Sequence, residues 1–325
     1  MKTKRFVTAG LCIVLMAVIF AQAKTDKIDL KLNLQKGQKF GMLITTDQKI
    51  AQTMNGQEMK MSQLMTMGLV SEVVDVNDKG IISIKMTYET MKGKMESQMG
   101  IIEFDSTKPQ QEDVNNPQAQ MVAGMYKAMV GAGLIMKYNP KGEVVGMEGF
   151  DAMMDKMVDG MGASDPNMAK SMKEMFRKMM SEDNLEQMNN GTMAAFPDGP
   201  VGIGDIWYDT MSLNMGFPID MDSTYVLKAR KDGVALLDVI SKMDMGDEES
   251  KLIEMNGMSM NMQMTGGMQG NMEVDEATGW MLRSKTDMRF SGVIKMSPNE
   301  QMPDGMTIPM SIVGTVTVEP FDIKK

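Results

Sequence analysis

Residues 40–91 read FGMLITTDQKIAQTMNGQEMKMSQLMTMGLVSEVVDVNDKGIISIKMTYETM. Two runs of alternating residues meet at Asn55-Gly56, a pair that accepts the positive φ angles of a tight primed turn, so they predict a β-hairpin. Beyond the turn, Met59, Met61, Met65, Met67 and Leu69 share one side of the strand, and Lys60, Ser62, Thr66 and Gly68 share the other. A half-buried strand ordinarily offers Val or Ile to its core; this one offers sulfur. After Asn77-Asp78-Lys79-Gly80, the residues Ile82, Ile84, Met86 and Tyr88 resume the alternation against Ser83, Lys85, Thr87 and Glu89. The pattern is a three-stranded antiparallel meander.

Upstream, Lys2, Lys4 and Arg5 precede an apolar run from Phe6 to Phe20, and Ala21-Gln22-Ala23 follows with small residues. This order predicts a signal peptide over residues 1–23, cleaved near Ala23, and a secreted or periplasmic mature protein. The apolar run is shorter than the roughly 20 residues of a membrane span, and no later run approaches that length, so no transmembrane segment is expected after cleavage. Cys12 lies inside the run after Leu11, whereas a lipidated cysteine would close the run after a small residue. Ile28, Leu30, Leu32 and Leu34 then alternate with polar residues and predict a first strand, ahead of a turn at Lys36-Gly37-Gln38-Lys39.

Removing 23 of the 325 residues leaves 302, enough for one large or two moderate domains. The net charge of -9 becomes -12 once three basic residues leave with the signal. Such a surface disfavours nucleic acid and anionic headgroups as partners. The chain has no histidine, and its only cysteine goes with the signal. The mature protein therefore lacks disulfides, thiolates and the commonest general base and metal ligand. Methionine, at 46 residues, is several times more frequent than usual.

Downstream, residues 95–105 predict another strand, and 107–117 a Pro- and Gln-rich loop. Met121, Met125 and Met129, four apart, predict a helix over 118–130, stopped by Gly131 and Gly133. Leu134, Met136 and Tyr138 alternate into Asn139-Pro140-Lys141-Gly142 and a hairpin return at Val144. The spacing of Phe150, Met153, Met154, Met157, Val158 and Met161 is one stripe of an amphipathic helix. A second helix, with Met168, Met172, Met175, Phe176 and Met179, starts near Pro166. Strands resume at Ile206-Trp207-Tyr208. Asn256-Gly257 repeats the opening hairpin device, with Met258, Met260, Met262 and Met264 alternating after it. Met306 to Val318 predicts a last strand, placed at a sheet edge because Pro309 interrupts it.

The two ends are alike. Gly37-Gln38-Lys39-Phe40 parallels Gly204-Asp205-Ile206-Trp207, and Gly100 to Asp105 parallels Gly270 to Asp275. The expected fold is mainly β (α+β): two similar curved antiparallel β units, 24–146 and 198–325, joined by a Met-rich helical segment at 147–197.

Several stretches carry a family resemblance. They are Lys36-Gly37-x-x-Phe40, the Met-rich hairpin, Phe104-Asp105-Ser106, Tyr138 to Val145, Phe196 to Trp207 and Val274 to Gly279. On these the chain resembles a domain-of-unknown-function family of exported bacterial proteins. The resemblance covers nearly the whole mature chain and implies a fold, with no catalytic residues to carry over.

The residues themselves point away from catalysis. Glu103 and Asp105 share a strand side as neighbouring solvated carboxylates. Asp75 to Gly80 superficially follows a calcium loop, but Lys79 takes a ligand position and Met86 stands where a glutamate is needed. Gly202-x-Gly204 lacks the third glycine and the helix of a dinucleotide site. The protein is expected to be non-enzymatic, with no cofactor and no metal in the favoured reading. The methionines have three readings. They fill the core; or Met59, Met61, Met65, Met67, Met258, Met260, Met262 and Met264 line a soft interior for an apolar or lipid-like ligand; or thioethers hold Cu(I) or Ag(I). For metal, Met258 to Met264 or Met153, Met157 and Met161 are candidates. Same-face neighbours on one strand lie nearly 7 Å apart, so a three-sulfur site needs neighbouring strands. N-terminal sequencing of the exported form is expected to begin at Lys24; a chain starting at Met1 would refute the signal reading.

Overall fold

The computed structural model describes residues 27–54, 56–98, 100–108, 117–160, 196–214, 218–246, 253–255, 258–298 and 304–323. The strands are β1 (Lys39–Met54), β2 (Gln57–Val76), β3 (Ile82–Ser97), β4 (Gly100–Asp105), β5 (Gly133–Tyr138), β6 (Val144–Glu148), β7 (Ile206–Asn214), β8 (Pro218–Lys231), β9 (Val234–Met245), β10 (Ile253–Met255), β11 (Met258–Asp275), β12 (Met281–Met296) and β13 (Met306–Pro320). Among the described residues two helices, α1 (Pro117–Met129) and α2 (Phe150–Gly160), stand between β4 and β7. All thirteen strands belong to one sheet, in the order β6-β5-β3-β2-β1-β13-β12-β11-β9-β8-β7, with β4 beside β3 and β10 beside β11. Every pairing is antiparallel. The expected hairpins form between β1 and β2, where Met54 pairs with Gln57, and at Asn77, whose side-chain oxygen accepts from the backbone N–H of Lys79 and Ile81.

The two stretches read as separate units thus share one sheet, joined where β1 pairs with β13 from Met42 with Pro320 to Gln52 with Met310. That pairing overturns the edge position expected for β13, which lies between β1 and β12. Pro309 is tolerated because it lies one residue past the end of the β1 ladder and pairs only with Val293 of β12. Its missing N–H leaves no central hydrogen bond unmade. β3 also differs from expectation: it runs unbroken through Gly93, over which the ring of Phe104 lies.

The segment from Ile28 to Leu34 is not the strand its alternation predicted. Its only ladder contact is an isolated bridge between Ile28 and Val201, and Asn33 bonds instead to the carbonyls of Ala277 and Thr278. Leu30 and Leu34 are nonetheless buried. The segment is a strap that uses its apolar side to join two packed regions. Leu34 and Leu32 pack with Met42, Leu69, Val73, Ile84, Tyr138 and Trp280. Leu30 and Ile28 pack with Trp207, Tyr225, Leu227, Leu237 and Val274. Stacking of Phe40 on Trp280 at 4.3 Å and of Trp207 on Tyr225 at 5.6 Å completes the two halves.

The two described helices pack on each other, and Tyr126 of α1 stacks on Phe104 of β4 at 4.2 Å. Met153, Met154 and Val158 of α2 are buried, as its stripe predicts. The second expected helix, at Met168 to Met179, lies outside the described residues.

Glycines in β11, β12 and β13 admit close strand approach. A β-carbon at Gly266 would stand 2.1 Å from the Arg289 carbonyl oxygen, at Gly270 2.0 Å from that of Lys285, and at Gly292 1.9 Å from that of Gln263. Gly292→Ala is therefore expected to destabilise the protein by about 1–3 kcal/mol. Gly146→Ala, whose β-carbon would meet only the flexible Lys137 side chain at 3.5 Å, should be near neutral. Urea melts of the two variants check the contrast.

Candidate functional site

Residues directly opposite each other in an antiparallel pair point to the same side, so the registers assemble rows across the sheet. One row runs unbroken over eight strands: Met61, Ile50, Ile312, Phe290, Gly266, Met243, Met221 and Met211. No polar side chain interrupts it. The next row toward the hairpin ends holds Met59, Gln52, Met310, Gly292, Met264, Met245 and Ile219. Gln52 donates to the Met310 sulfur at 3.4 Å.

On the other side of the apolar row lies a polar stripe. Gln48 Nε2 donates to Gln63 Oε1 at 2.8 Å at one end, and the Ser223 and Ser241 hydroxyls are 2.8 Å apart at the other. Gly314, Met288 and Met268 lie between them in register. Past this stripe, Met65 and then Met67 with Ile44 and Val318 lead into the packed core beneath the strap.

The residues singled out in the sequence occupy this one face. Met59, Met61, Met65 and Met67 are each half-buried, as are Met260 and Met262, whereas Met264 is only 3% exposed. Met258 pairs with Met255 at the start of β11; its side chain lies outside the described residues. β2 and β11 are four strand spacings apart, about 19 Å along the sheet. The two methionine sets share a face without adjoining. Met153, raised as a metal candidate, is packed in α2, and Met161 lies outside the described residues. Sequence reading did not group Met211, Met221 and Met243 because they stand on three different strands, and only strand pairing aligns them.

The opposite face is polar. A groove of about 860 Å³ crosses it, lined by Asp47, Lys49, Lys242, Gln269, Asp287 and Arg289 among others. A second cavity, of about 40 Å³, lies in the core among Leu32, Met42, Ile84, Tyr138 and Trp280. Burial raises the phenols of Tyr88, Tyr126 and Tyr138, which therefore stay neutral. The Thr107 hydroxyl, bonded at 2.6 Å, holds the Asp105 carboxyl below its ordinary range in a turn. Among the described residues no helix is long and apolar enough to cross a membrane, and no group of three His, Cys, Asp or Glu could hold a metal ion.

Fold and face together define an antiparallel single-sheet protein with one methionine-bearing apolar side, whose end strands β6 and β7 are not paired with each other. The chain belongs to a family of unknown function, DUF6263, whose model matches residues 79–281. Among curated proteins none matches the sequence. Among solved structures the chain is similar to lipovitellin, in a structure titled for its lipid–protein interactions. That match has 8% identity and a TM-score of 0.46, and covers 90% of this chain and 26% of the other. The chain thus spans about a quarter of the lipovitellin chain. It is also similar to the β domain of the Bordetella autotransporter BrkA, at 7% identity and a TM-score of 0.20, covering 87% of this chain and 100% of the other. OccK5 of Pseudomonas aeruginosa matches at 8% identity and a TM-score of 0.21, covering 87% and 98%. None of these likenesses is close enough in shape to carry a functional argument.

The burial contrast predicts an order of oxidation. Peroxide should convert Met59, Met61, Met65 and Met67 to sulfoxides before Met42, Met91 and Met264, which are 4%, 1% and 3% exposed. Peptide mass spectrometry over a time course reads the order, and equal rates in the folded protein would refute the half-open face.

Proposed function

We propose that the protein is an exported, non-enzymatic binding or envelope-associated protein that holds an apolar, lipid-like ligand against its methionine face. The observation that carries this reading is the eight-strand row from Met61 to Met211. It is continuous and apolar, and every member except Phe290 is half-buried rather than packed. An apolar surface of this extent is costly to leave in water and ordinarily marks a binding surface. Methionine suits it because a flexible, polarizable thioether repacks around ligands of different shape. The hydrogen-bonded Gln48 and Gln63 pair borders the row and offers an amphiphile polar groups at a fixed position.

Export is supported by the basic and then apolar start of the chain and by Ala21-x-Ala23. The absence of histidine and of any cysteine after Cys12 supports a non-catalytic role. The reading of two related halves gains support from matched turns. Gly37 and Gly204 have φ of 90° and 92°, and Gly80 and Gly233 have 76° and 78°, each ahead of a strand.

Native mass spectrometry of protein purified from its own compartment should show a bound apolar molecule. The delipidated protein should take up the neutral dye N-phenyl-1-naphthylamine saturably. Met61→Glu should weaken uptake by about tenfold or more, and Lys49→Glu, on the opposite face, should leave it unchanged. Absence of both bound ligand and saturable uptake, or equal effects of the two substitutions, would overturn the reading.

A further inference from the structure

Three methionines of the long row stand on adjacent strands in direct register. Met211 of β7 pairs with Met221 of β8, and Met221 pairs with Met243 of β9. Directly opposite residues have β-carbons about 4.5–5.5 Å apart, and the thioether side chain has three rotatable bonds. The outer two side chains can therefore lean over the middle one and bring three sulfurs to a common point. Methionines alternating along one strand cannot do this. We propose that Met211, Met221 and Met243 form a thioether site for a soft monovalent cation, copper(I) or silver(I).

Four features of the surroundings favour this trio. In the next row Met245 pairs with Met264, so two further thioethers lie beside the first three. Gly266 follows Met243 in the row and presents no side chain, which leaves room for an ion at that end. All three sulfur-bearing residues are half-buried, open enough for entry and sheltered enough to lower the competing hydration. Aspartates outnumber lysines near the site: Asp209 is on the same face two residues before Met211, and Asp220, Asp222 and Asp244, with Lys242 opposite Asp222, are on the reverse of the same strands. Neutral thioethers supply no charge of their own, so this acidic setting offsets that of the cation. Soft sulfur selects copper(I) and silver(I) over magnesium, calcium and zinc, which prefer oxygen, nitrogen or thiolate.

A second trio, Met260, Met296 and Met306, is also in register, across β11, β12 and β13. On the reverse of its strands Asn261, Lys295 and Thr307 stand in register, with no aspartate among them, and it serves as the internal comparison. The three residues belong to the same row that carries the apolar-ligand reading, but the ligand is a different one, and silver binding is read apart from dye uptake.

The test uses the mature full-length chain and silver(I) alone, which needs no reductant. Calorimetric titration should show a first tight equivalent. With methionine methyl groups labelled, that equivalent should shift the NMR signals of Met211, Met221 and Met243 first. Met221→Leu should weaken this equivalent by about tenfold or more, with Met211→Leu as the alternative if the first variant melts early. Met296→Leu should leave it unchanged. Because a thioether has no proton to lose, the affinity should be the same at mildly acidic and neutral pH, unlike that of imidazole, thiolate or carboxylate sites. The proposal is overturned if Met221→Leu and Met211→Leu bind the first equivalent as tightly as the native chain, or if Met296→Leu weakens it equally.

Discussion

The ladder between β1 and β13 holds the rest of the structure in place. It joins the strands that precede the helices to those that follow them, pairing Gln52 with a methionine 258 positions away. Its register decides which side chains share a face. A slip of one residue would turn every side chain of one half over, setting Ile50 against a polar partner and dividing the apolar row in two. The hydrogen bond from Gln52 to the Met310 sulfur and the pairing of Thr46 with Val316 both belong to this one register.

Packing is concentrated at one end of that face. The strap from Ile28 to Leu34 lies there, and both aromatic stacks, Phe40 with Trp280 and Trp207 with Tyr225, belong to the two packed regions it joins. Leu227 and Ala235 are wholly buried at this end, while Met59 and Met61 at the other are half-open. Close packing and the half-open methionine surface are thereby separated along the strands. The strap end supplies close packing with Val, Leu and aromatic residues. The far end, rich in methionine and glycine, is softer and less covered. Methionine tolerates such a position because its side chain adapts to whatever lies against it, and glycines 266, 270 and 292 let the strands beneath approach closely.

Much of this was legible in the sequence because strand periodicity and turn chemistry are local. The alternation of Met59, Met61, Met65 and Met67 and the Asn-Gly turns identified strands, hairpins and an inward face without reference to any other segment. The same reasoning failed for Ile28 to Leu34. Alternation reports which side is buried, and a strap lying on a sheet buries one side as a strand does. It failed again for β13, because Pro309 falls one residue beyond the end of the ladder with β1, and only the pairing of the two strands shows where that ladder ends.

From the sequence alone follow a mainly antiparallel β protein, a chain without histidine and with no cysteine after Cys12, and one face of β2 and of β11 rich in methionine. Tertiary structure alone decided that the two halves share a sheet and that Met211, Met221 and Met243, on three separate strands, stand in one line. The physical reason is that the period of a strand belongs to that strand. Register belongs to pairs of strands, and is set by contacts between residues far apart in the chain.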